Sequence, residues 1–144
     1  MKISTKGRYA LRLMIYIAAN SNGKPVSIKD VAKNEDISDK YLEQIISILN
    51  SGGLVRSVRG PQGGYLLRKA PEDITDGAVL RLTEGTLAPV ACVEEDAPEC
   101  ERESICSTYN LWKQLYSAIC SVVDTTTIAD LCNSRPEAGD EYCI

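Results

Sequence analysis

Apolar residues recur at three- and four-residue intervals in the first fifty positions of the chain, a spacing that predicts amphipathic helices. The first predicted helix runs from Thr5 to about Ala19, with Ser4 as its N-cap. Its apolar rows are Tyr9, Leu13 and Ile17, with Leu11, Ile15 and Ala18 beside them. The turn-forming cluster "NSNGKP" then ends the helix.

Two further helices follow from the same pattern. The segment "SIKDVAKNED" has Ser27 in the N-cap position, and "DKYLEQIISILNSGG" is capped by Ser38. Gly52 and Gly53 end the third helix, where a left-handed backbone conformation is needed. Two helices separated by a few residues, the second with polar residues on its first exposed turn, are typical of a helix-turn-helix, although many helical bundles share this pattern.

The next segment, "LVRSVRGPQGGYLLRK", predicts a β-hairpin, because β-branched and aromatic residues flank a turn rich in glycine and proline. Its basic residues are Arg56, Arg59, Arg68 and Lys69. A basic hairpin directly after a helix-turn-helix is typical of a wing, which places cations beside DNA phosphates or a groove. A surface hairpin with solvated arginines is the alternative. We expect a winged helix-turn-helix, a mainly α fold with a small β-hairpin wing.

The second half predicts a short helix around Asp76–Thr83 after the linker "APEDIT", and a long helix in "STYNLWKQLYSAICSVVD" capped near Ser107. The apolar face of the long helix is too wide for the edge of a small domain, so we expect a two-fold dimer through it. Packing on the chain's own core is the alternative. "TTTIADLC" predicts a last short helix, and the tail "NSRPEAGDEYCI" predicts disorder.

Two regions are expected: a winged helix-turn-helix DNA-binding region over residues 1–70, and the cysteine loop, dimerisation helix and tail over residues 71–144. Charge divides sharply between them, with 12 Lys and Arg against 5 Asp and Glu in the first and 4 against 15 in the second. A basic half of this kind suits a polyanion such as double-stranded DNA, although uneven surface charge is the simpler alternative.

Several classes of protein are disfavoured by what the sequence lacks. It shows no signal peptide and no membrane-spanning stretch, which predicts a cytoplasmic protein. It also has no histidine base, no Cys-x-x-Cys pair and no phosphate-binding glycine motif in the required context. We therefore do not expect an enzyme.

The segment "ACVEEDAPECERESICSTYN" places Cys92, Cys100 and Cys106 in an acidic loop, with seven and then five residues between them. Thiolates are soft ligands that suit zinc or iron–sulfur clusters. The absence of histidine excludes Cys/His zinc sites, and the spacing lacks the close cysteine pairs of structural zinc. The neighbouring carboxylates are expected to raise thiol pKa values, so oxidation of Cys92 or Cys100 is a rival hypothesis.

Four segments together resemble a known family: "KISTKGRYALR", "YLEQ" at 41–44, "VRGPQGGYLL" at 58–67 and the three-cysteine loop. The sequence resembles the Rrf2 family of bacterial winged-helix transcription regulators, whose types include IscR, NsrR and CymR. It is most similar to IscR-like members with a three-cysteine loop. The resemblance covers nearly the whole chain and implies a homodimeric repressor and redox sensor whose long helix crosses that of its partner.

The resemblance also implies which residues bind DNA. On the recognition helix and wing they are Ser38, Lys40, Tyr41, Glu43, Gln44 and Arg59. At the N-terminus, phosphate contacts are expected from Lys2, Lys6 and Arg8. Gln44 suits an adenine edge and Arg59 a narrow minor groove, whereas Glu43 accepts from cytosine and filters the choice of operator. For each residue, a solvated helix face is the alternative.

The resemblance further implies that Cys92, Cys100 and Cys106 are metal ligands of an iron–sulfur cluster. A 2Fe-2S cluster is expected in preference to a 4Fe-4S cluster. The fourth ligand is unknown, with a nearby carboxylate, Tyr109, Cys120 or an external thiol as candidates. Packing is the favoured interpretation of Cys120. We expect cluster loss to reshape loop 88–106, shift the dimer helix and alter the spacing of the two recognition helices.

A second rival hypothesis concerns the C-terminal sequence "EYCI". A family member of the CymR type is regulated by a cysteine synthase, an enzyme that accepts partner C-termini ending in isoleucine. The carboxylate beside Ile144 could therefore mimic an amino-acid substrate in the synthase pocket. A frayed tail is the alternative. Cys132 and Cys143 are interpreted as structural and incidental, respectively.

Overall fold

The computed structural model describes residues 1–134, which form six α-helices and one two-stranded sheet. The helices are α1 (Thr5–Asn20), α2 (Ile28–Glu35), α3 (Asp39–Ser51), α4 (Asp76–Glu84), α5 (Tyr109–Val123) and α6 (Ile128–Asn133). The strands are β1 (Val55–Val58) and β2 (Gly64–Leu67), and short 3-10 turns cover Pro71–Asp73, Ala91–Val93 and Glu103–Ile105. The mainly α fold with a hairpin is confirmed, while the tail from residue 135 lies outside the described residues.

The first three helices begin at the predicted capping residues. The side-chain oxygens of Ser4, Ser27 and Ser38 each accept a hydrogen bond from the backbone N–H three residues further along. Such caps satisfy donors that the first helical turn leaves unpaired. Beyond the end of α3, Gly53 has a φ of +78°, a left-handed conformation that glycine adopts without strain. Caps and stop signal are therefore confirmed.

The wing includes a third chain segment that the sequence pattern did not reveal. β1 and β2 pair antiparallel, with Val55 opposite Leu67. Tyr65 on β2 also exchanges both backbone hydrogen bonds with Val26, at 2.8 and 3.0 Å. A Cβ added at Gly64 would lie 2.3 Å from the Val26 carbonyl oxygen, so this close backbone approach requires glycine. The wing is thereby fastened to the segment that leads into α2.

One hydrophobic core joins the winged helix to the second half of the chain. It consists of Ala10, Leu13, Met14, Ile17, Val26, Val31, Ile37, Leu42, Ile45, Ile46, Leu49, Leu54, Val55, Ile74, Val79 and Ile128. Ile74 lies in the segment predicted as a linker, yet it is buried, and its carbonyl accepts the backbone N–H of Ile128 on α6. Both sides of position 70 thus share this core, and the division into two regions stays a prediction.

α5 is the long helix predicted for dimerisation, and it has no buried residue. It begins at Tyr109 after Thr108, one residue beyond the predicted cap at Ser107. Leu111 and Val122 are 55% and 64% exposed, which leaves an apolar face without a partner in the described chain. None of the described helices is long and apolar enough to cross a membrane.

Candidate DNA interface and cysteine loop

The N-terminal part of α3 presents polar side chains to solvent. Ser38, Lys40, Glu43 and Gln44 are exposed, and Tyr41 is half-buried. The Ser38 hydroxyl oxygen accepts the backbone N–H of Tyr41 at 3.2 Å, so this side chain first serves as the helix cap. The opposite face is buried through Leu42, Ile45, Ile46 and Leu49. The helix is therefore anchored in the core while its polar face can meet a DNA groove.

The ring of Tyr41 contacts a side chain of α1. It meets the ring of Tyr9 edge to face, with centroids 5.7 Å apart and planes at 73°. The Arg12 guanidinium lies 5.2 Å from the Tyr9 centroid, and its Nε donates to Glu35 Oε2 at 3.0 Å. The sequence pattern placed Tyr9 only in an apolar row and gave Arg12 no role at the site. Their three-residue spacing on one helix face was the available signal.

The wing carries Arg59 on its exposed turn, beside Gly60 with a φ of +123°. Arg68 differs from the prediction of a free wing cation, because its Nε donates to the Val55 carbonyl at 3.0 Å. That contact holds the side chain at the base of the hairpin. Arg59 is therefore the cation placed at the tip, where a wing reaches a minor groove.

The start of α1 carries the predicted phosphate contacts. Lys2 and Arg8 are exposed there, and Lys6 is half-buried. The Ser4 hydroxyl donates to Glu84 Oε1 at 2.5 Å, and the Ser4 N–H donates to Oε2 at 3.4 Å. The end of α4 thus holds the N-terminus of α1, where a carboxylate also complements the helix dipole.

The three thiols of the cysteine loop are free and exposed. Cys92 and Cys100 line one cavity of about 190 Å³ together with Tyr109. Cys106 is not in that lining, and its Sγ lies 3.5 Å from Thr108 Oγ1. Within residues 1–134, no three Cys, Asp or Glu side chains form a group that could hold a metal ion. The structure brings two of the predicted ligands to one cavity and leaves the third beside it along the chain.

The pKa of Cys106 is lowered, opposite to the rise expected from the acidic loop. The main cause is the hydrogen bond with the Thr108 side chain, followed by backbone N–H groups of Thr108 and Tyr109. These donors contact the sulfur directly at the start of α5, whereas Glu101 and Glu103 are exposed to water that screens their charge. The contacts at the start of α5 therefore favour the thiolate form of Cys106.

The packing role predicted for Cys120 needs correction. Cys120 is half-buried, and Arg81 Nη2 donates to its Sγ at 3.6 Å. The same guanidinium binds Asp124, so Cys120 takes part in a polar contact between α4 and α5. Cys132 on α6 is half-buried, with its Sγ 3.8 Å from the Ile15 carbonyl oxygen.

Comparison with known proteins gives one family. The model of the Rrf2 family, described as "Iron-dependent Transcriptional regulator", matches residues 3–134. The transcriptional regulator CymR of Bacillus subtilis (strain 168) is 42% identical over 142 residues, which cover 99% of this chain and 97% of that protein. IscR of Yersinia pseudotuberculosis serotype O:1b (strain IP 31758) is 38% identical over 135 residues, which cover 94% and 81%.

A solved structure agrees with these relatives. The structure of CymR, described as the global cysteine regulator of B. subtilis, superposes with a TM-score of 0.78 at 41% identity. It covers 94% of this chain and 99% of its own. Fold and sequence thus lead to the same family.

Proposed function

Since this chain belongs to the Rrf2 family and is a DNA-binding transcriptional regulator, we propose that an iron–sulfur cluster held by its cysteine loop controls DNA binding. One observation carries the proposal: three free, exposed thiols lie in the loop that leads into α5, a helix without a buried residue. A change at these thiols acts on the helix that presents the unpartnered apolar face.

The DNA contacts that we propose come from exposed and half-buried side chains of the α3 region, the wing and the N-terminal segment around the start of α1. The recognition helix contributes Ser38, Tyr41, Glu43 and Gln44, and the wing contributes Arg59 to the minor groove. Phosphates meet Lys40, Lys2, Lys6 and Arg8. The protein acts in the cytoplasm, and no catalytic step is part of the proposal.

Two copies pair through α5 in this proposal. Leu111, Leu115 and Val122 are exposed on the helix. A cavity of about 620 Å³ beside it is lined mainly by apolar side chains, with Lys2, Glu84 and Thr86 as its polar members. Burying this surface against a second α5 removes apolar area from water. The resulting two-fold arrangement presents two recognition helices to two half-sites of an operator.

Thiolates are the ligand type that iron–sulfur clusters use, and a cluster would have to draw Cys106 toward the cavity that Cys92 and Cys100 line. Cys92, Cys100 and Cys106 would be the protein ligands, and the cluster, 2Fe-2S in this proposal, would supply sensitivity to oxidants and iron supply. The fourth ligand stays open: Tyr109 and the carboxylates of Glu94, Glu99 and Glu103 line the cavity of Cys92 and Cys100, and Cys120 or an external thiol are the other candidates. Thr108 favours the thiolate form that Cys106 needs as a ligand.

The chain's own contacts connect this loop to the DNA-binding surface. Tyr109 is both part of the loop cavity and the first residue of α5. Arg81 joins α5 to α4 through Asp124, and Glu84 joins α4 to α1 through Ser4. A shift of α5 that is transmitted through the Arg81–Asp124 contact would move α4, and with it the start of α1 that carries the proposed phosphate contacts.

Anaerobic purification tests the proposal. We expect a coloured protein whose visible spectrum shows cluster absorption bands. Chemical analysis should find both iron and sulfide in the same protein. The Cys92→Ala variant should lose the bands, whereas Cys143→Ser, at a cysteine outside the loop, should keep them. A protein that stays colourless after anaerobic reconstitution with iron and sulfide would contradict the cluster.

Cluster-free control of cysteine or sulfur metabolism is the second candidate. The 42% identity to CymR favours it, because that protein is described as a global cysteine regulator. Control would then come from oxidation of the exposed loop thiols or from docking of the Ile144 carboxylate into cysteine synthase. Calorimetry with purified cysteine synthase should show binding that Ile144→Glu abolishes and Cys143→Ser keeps. Absence of binding to the unmodified chain would sink the docking hypothesis.

A further inference from the structure

We infer that Tyr9 and Arg12 on α1 are positioning residues that hold Tyr41 in the orientation needed to read DNA, without touching the DNA themselves. The inference rests on the proposed role of Tyr41 at the base edges. It concerns how the recognition helix is presented, so it is independent of the cysteine loop.

Tyr41 is fixed at two points. Its backbone N–H is bound by the Ser38 hydroxyl at 3.2 Å, which sets the first turn of α3. Its ring meets the Tyr9 ring edge to face, with centroids 5.7 Å apart. Both rings also pack against the core, so one side of Tyr41 is covered while the other side remains open. A ring held in this way loses less conformational freedom on binding than a free one.

Arg12 fixes Tyr9 in turn. Its guanidinium lies 5.2 Å from the Tyr9 ring centroid, in the range of a cation–π contact. Nε donates to the Glu35 carboxylate at 3.0 Å, and Nη2 donates to the Glu35 carbonyl. The carbonyl belongs to the last turn of α2, where helical partners are missing. The Arg12 side chain thus binds the end of α2 and contacts the Tyr9 ring on its own helix, and through that ring it supports Tyr41 at the start of α3.

The direction of these donors distinguishes Arg12 from a phosphate ligand. Two of its N–H groups are used by Glu35, whose side chain is only 15% exposed, whereas Lys2 and Arg8 have no ion pair in the described chain. A residue that binds phosphate contributes to the salt dependence of binding to any DNA. A residue that positions Tyr41 contributes only to the affinity for DNA that carries the sequence contacted by Tyr41.

The test uses a duplex selected by the wild-type protein from a random-sequence library, and an unrelated duplex of the same length. Affinities of Tyr9→Leu, Tyr9→Phe and Arg12→Met are measured over a series of salt concentrations. We expect Tyr9→Leu and Arg12→Met to bind the selected duplex about tenfold more weakly and the unrelated duplex within about twofold of wild type, with an unchanged salt slope. Tyr9→Phe, which keeps the ring, should bind both duplexes like wild type.

Two results would overturn the inference. If Arg12→Met weakens both duplexes alike and lowers the salt slope by about 0.9, Arg12 is a phosphate ligand. If Tyr9→Leu and Arg12→Met bind like wild type, the contacts serve packing alone. The variant Gln44→Ala distinguishes failure of the positioning role from failure of the proposed DNA surface. If Gln44→Ala also binds the selected duplex like wild type, α3 does not read that duplex. Thermal melts check that each variant folds. If Tyr9→Leu does not fold, the affinities of Arg12→Met, which keeps an unbranched apolar stem, test the positioning role by themselves.

Discussion

Arg81 on α4 binds Asp124, the residue that caps the C-terminal end of α5, through both carboxylate oxygens, at 2.6 and 2.9 Å. The side chains are 36% and 41% exposed, so solvent screens the ion pair and limits its contribution to the free energy of unfolding. The paired geometry nevertheless fixes how the two helices face one another. The contact therefore matters more for the position of α5 than for overall stability.

Removing this ion pair should have a small, pH-dependent cost. Hydrogen bonding to Arg81 lowers the pKa of Asp124 in the folded protein. Its stabilising contribution is therefore present above the unfolded-state pKa and is lost as the pH falls through the lowered folded-state value. We expect Asp124→Asn to reduce the free energy of unfolding by less than about 1 kcal/mol at pH 7, measured by urea denaturation. Asp73→Asn, at an exposed carboxylate, is the control, and equal losses in both variants would contradict the role of the pair.

Asp76 should make the protein less stable as the pH rises. Its side chain is buried at the start of α4, and within the described chain its Oδ1 has no hydrogen-bond partner. Burial, and then repulsion by Asp130, raises its pKa to about 6. The folded-state pKa lies above the unfolded-state pKa of about 3.9. The contribution of Asp76 to the free energy of unfolding is therefore greatest below the unfolded-state pKa and is lost as the pH rises through about 6.

Asp76→Asn removes this titration. We expect the variant to have a free energy of unfolding about 1–3 kcal/mol higher than wild type at pH 8, with a smaller difference at pH 5. Urea denaturation at the two pH values measures it. An unchanged pH dependence in the variant would show that another group is responsible.

Gly64→Ala should damage the wing. The added methyl group would meet the Val26 carbonyl oxygen at 2.3 Å, and backbone cannot move aside as a flexible side chain can. We expect a loss of about 1–3 kcal/mol in the free energy of unfolding and weaker DNA binding. Denaturation and fluorescence anisotropy measure the two effects. Ser57→Ala on the facing strand is the matched control and should behave like wild type.

Charges on the exposed face of α5 should separate the proposed dimer. Leu111→Glu and Val122→Glu replace exposed apolar side chains that a second copy would bury. Analytical ultracentrifugation should report half the mass of wild type. Fluorescence anisotropy should show at least tenfold weaker operator binding, since a monomer meets one half-site. Gln114→Glu is the control because it adds the same charge at a polar position. Wild-type mass for both leucine and valine variants would exclude pairing through this face.

Thr108 should control the reactivity of Cys106 in metal-free protein. Its hydrogen bond lowers the pKa of Cys106, which increases the thiolate fraction at neutral pH. Thr108→Val should therefore slow alkylation of Cys106 by iodoacetamide at pH 7 and shift its pH profile upward, as measured by peptide mass spectrometry. Ser107→Ala tests for a general effect of nearby substitutions. Identical profiles for Thr108→Val and wild type would refute the role of the hydroxyl.

Local features of the sequence were enough to predict the winged helix. Ser4, Ser27 and Ser38 cap the predicted helices, and Gly53 adopts the left-handed conformation expected after α3. These signals are readable because each acts between residues a few positions apart, where spacing along the chain dictates contact. The resemblance to the Rrf2 family, also read from short motifs, is confirmed. The DNA-contact residues and the cluster stay predictions.

Only the tertiary structure decided the contacts between distant residues. The ring of Tyr9 on α1 contacts the ring of Tyr41 on α3, and Val26 pairs with Tyr65 of the wing. Arg81 on α4 donates a hydrogen bond to Cys120 on α5. Each depends on how elements pack, which no local spacing encodes. The lowered pKa of Cys106 has a similar origin: the sequence displays its acidic neighbours, but the geometry at the start of α5 places hydroxyl and N–H donors against the sulfur. Direct contact outweighs screened charge, so the structure reversed the expectation drawn from composition.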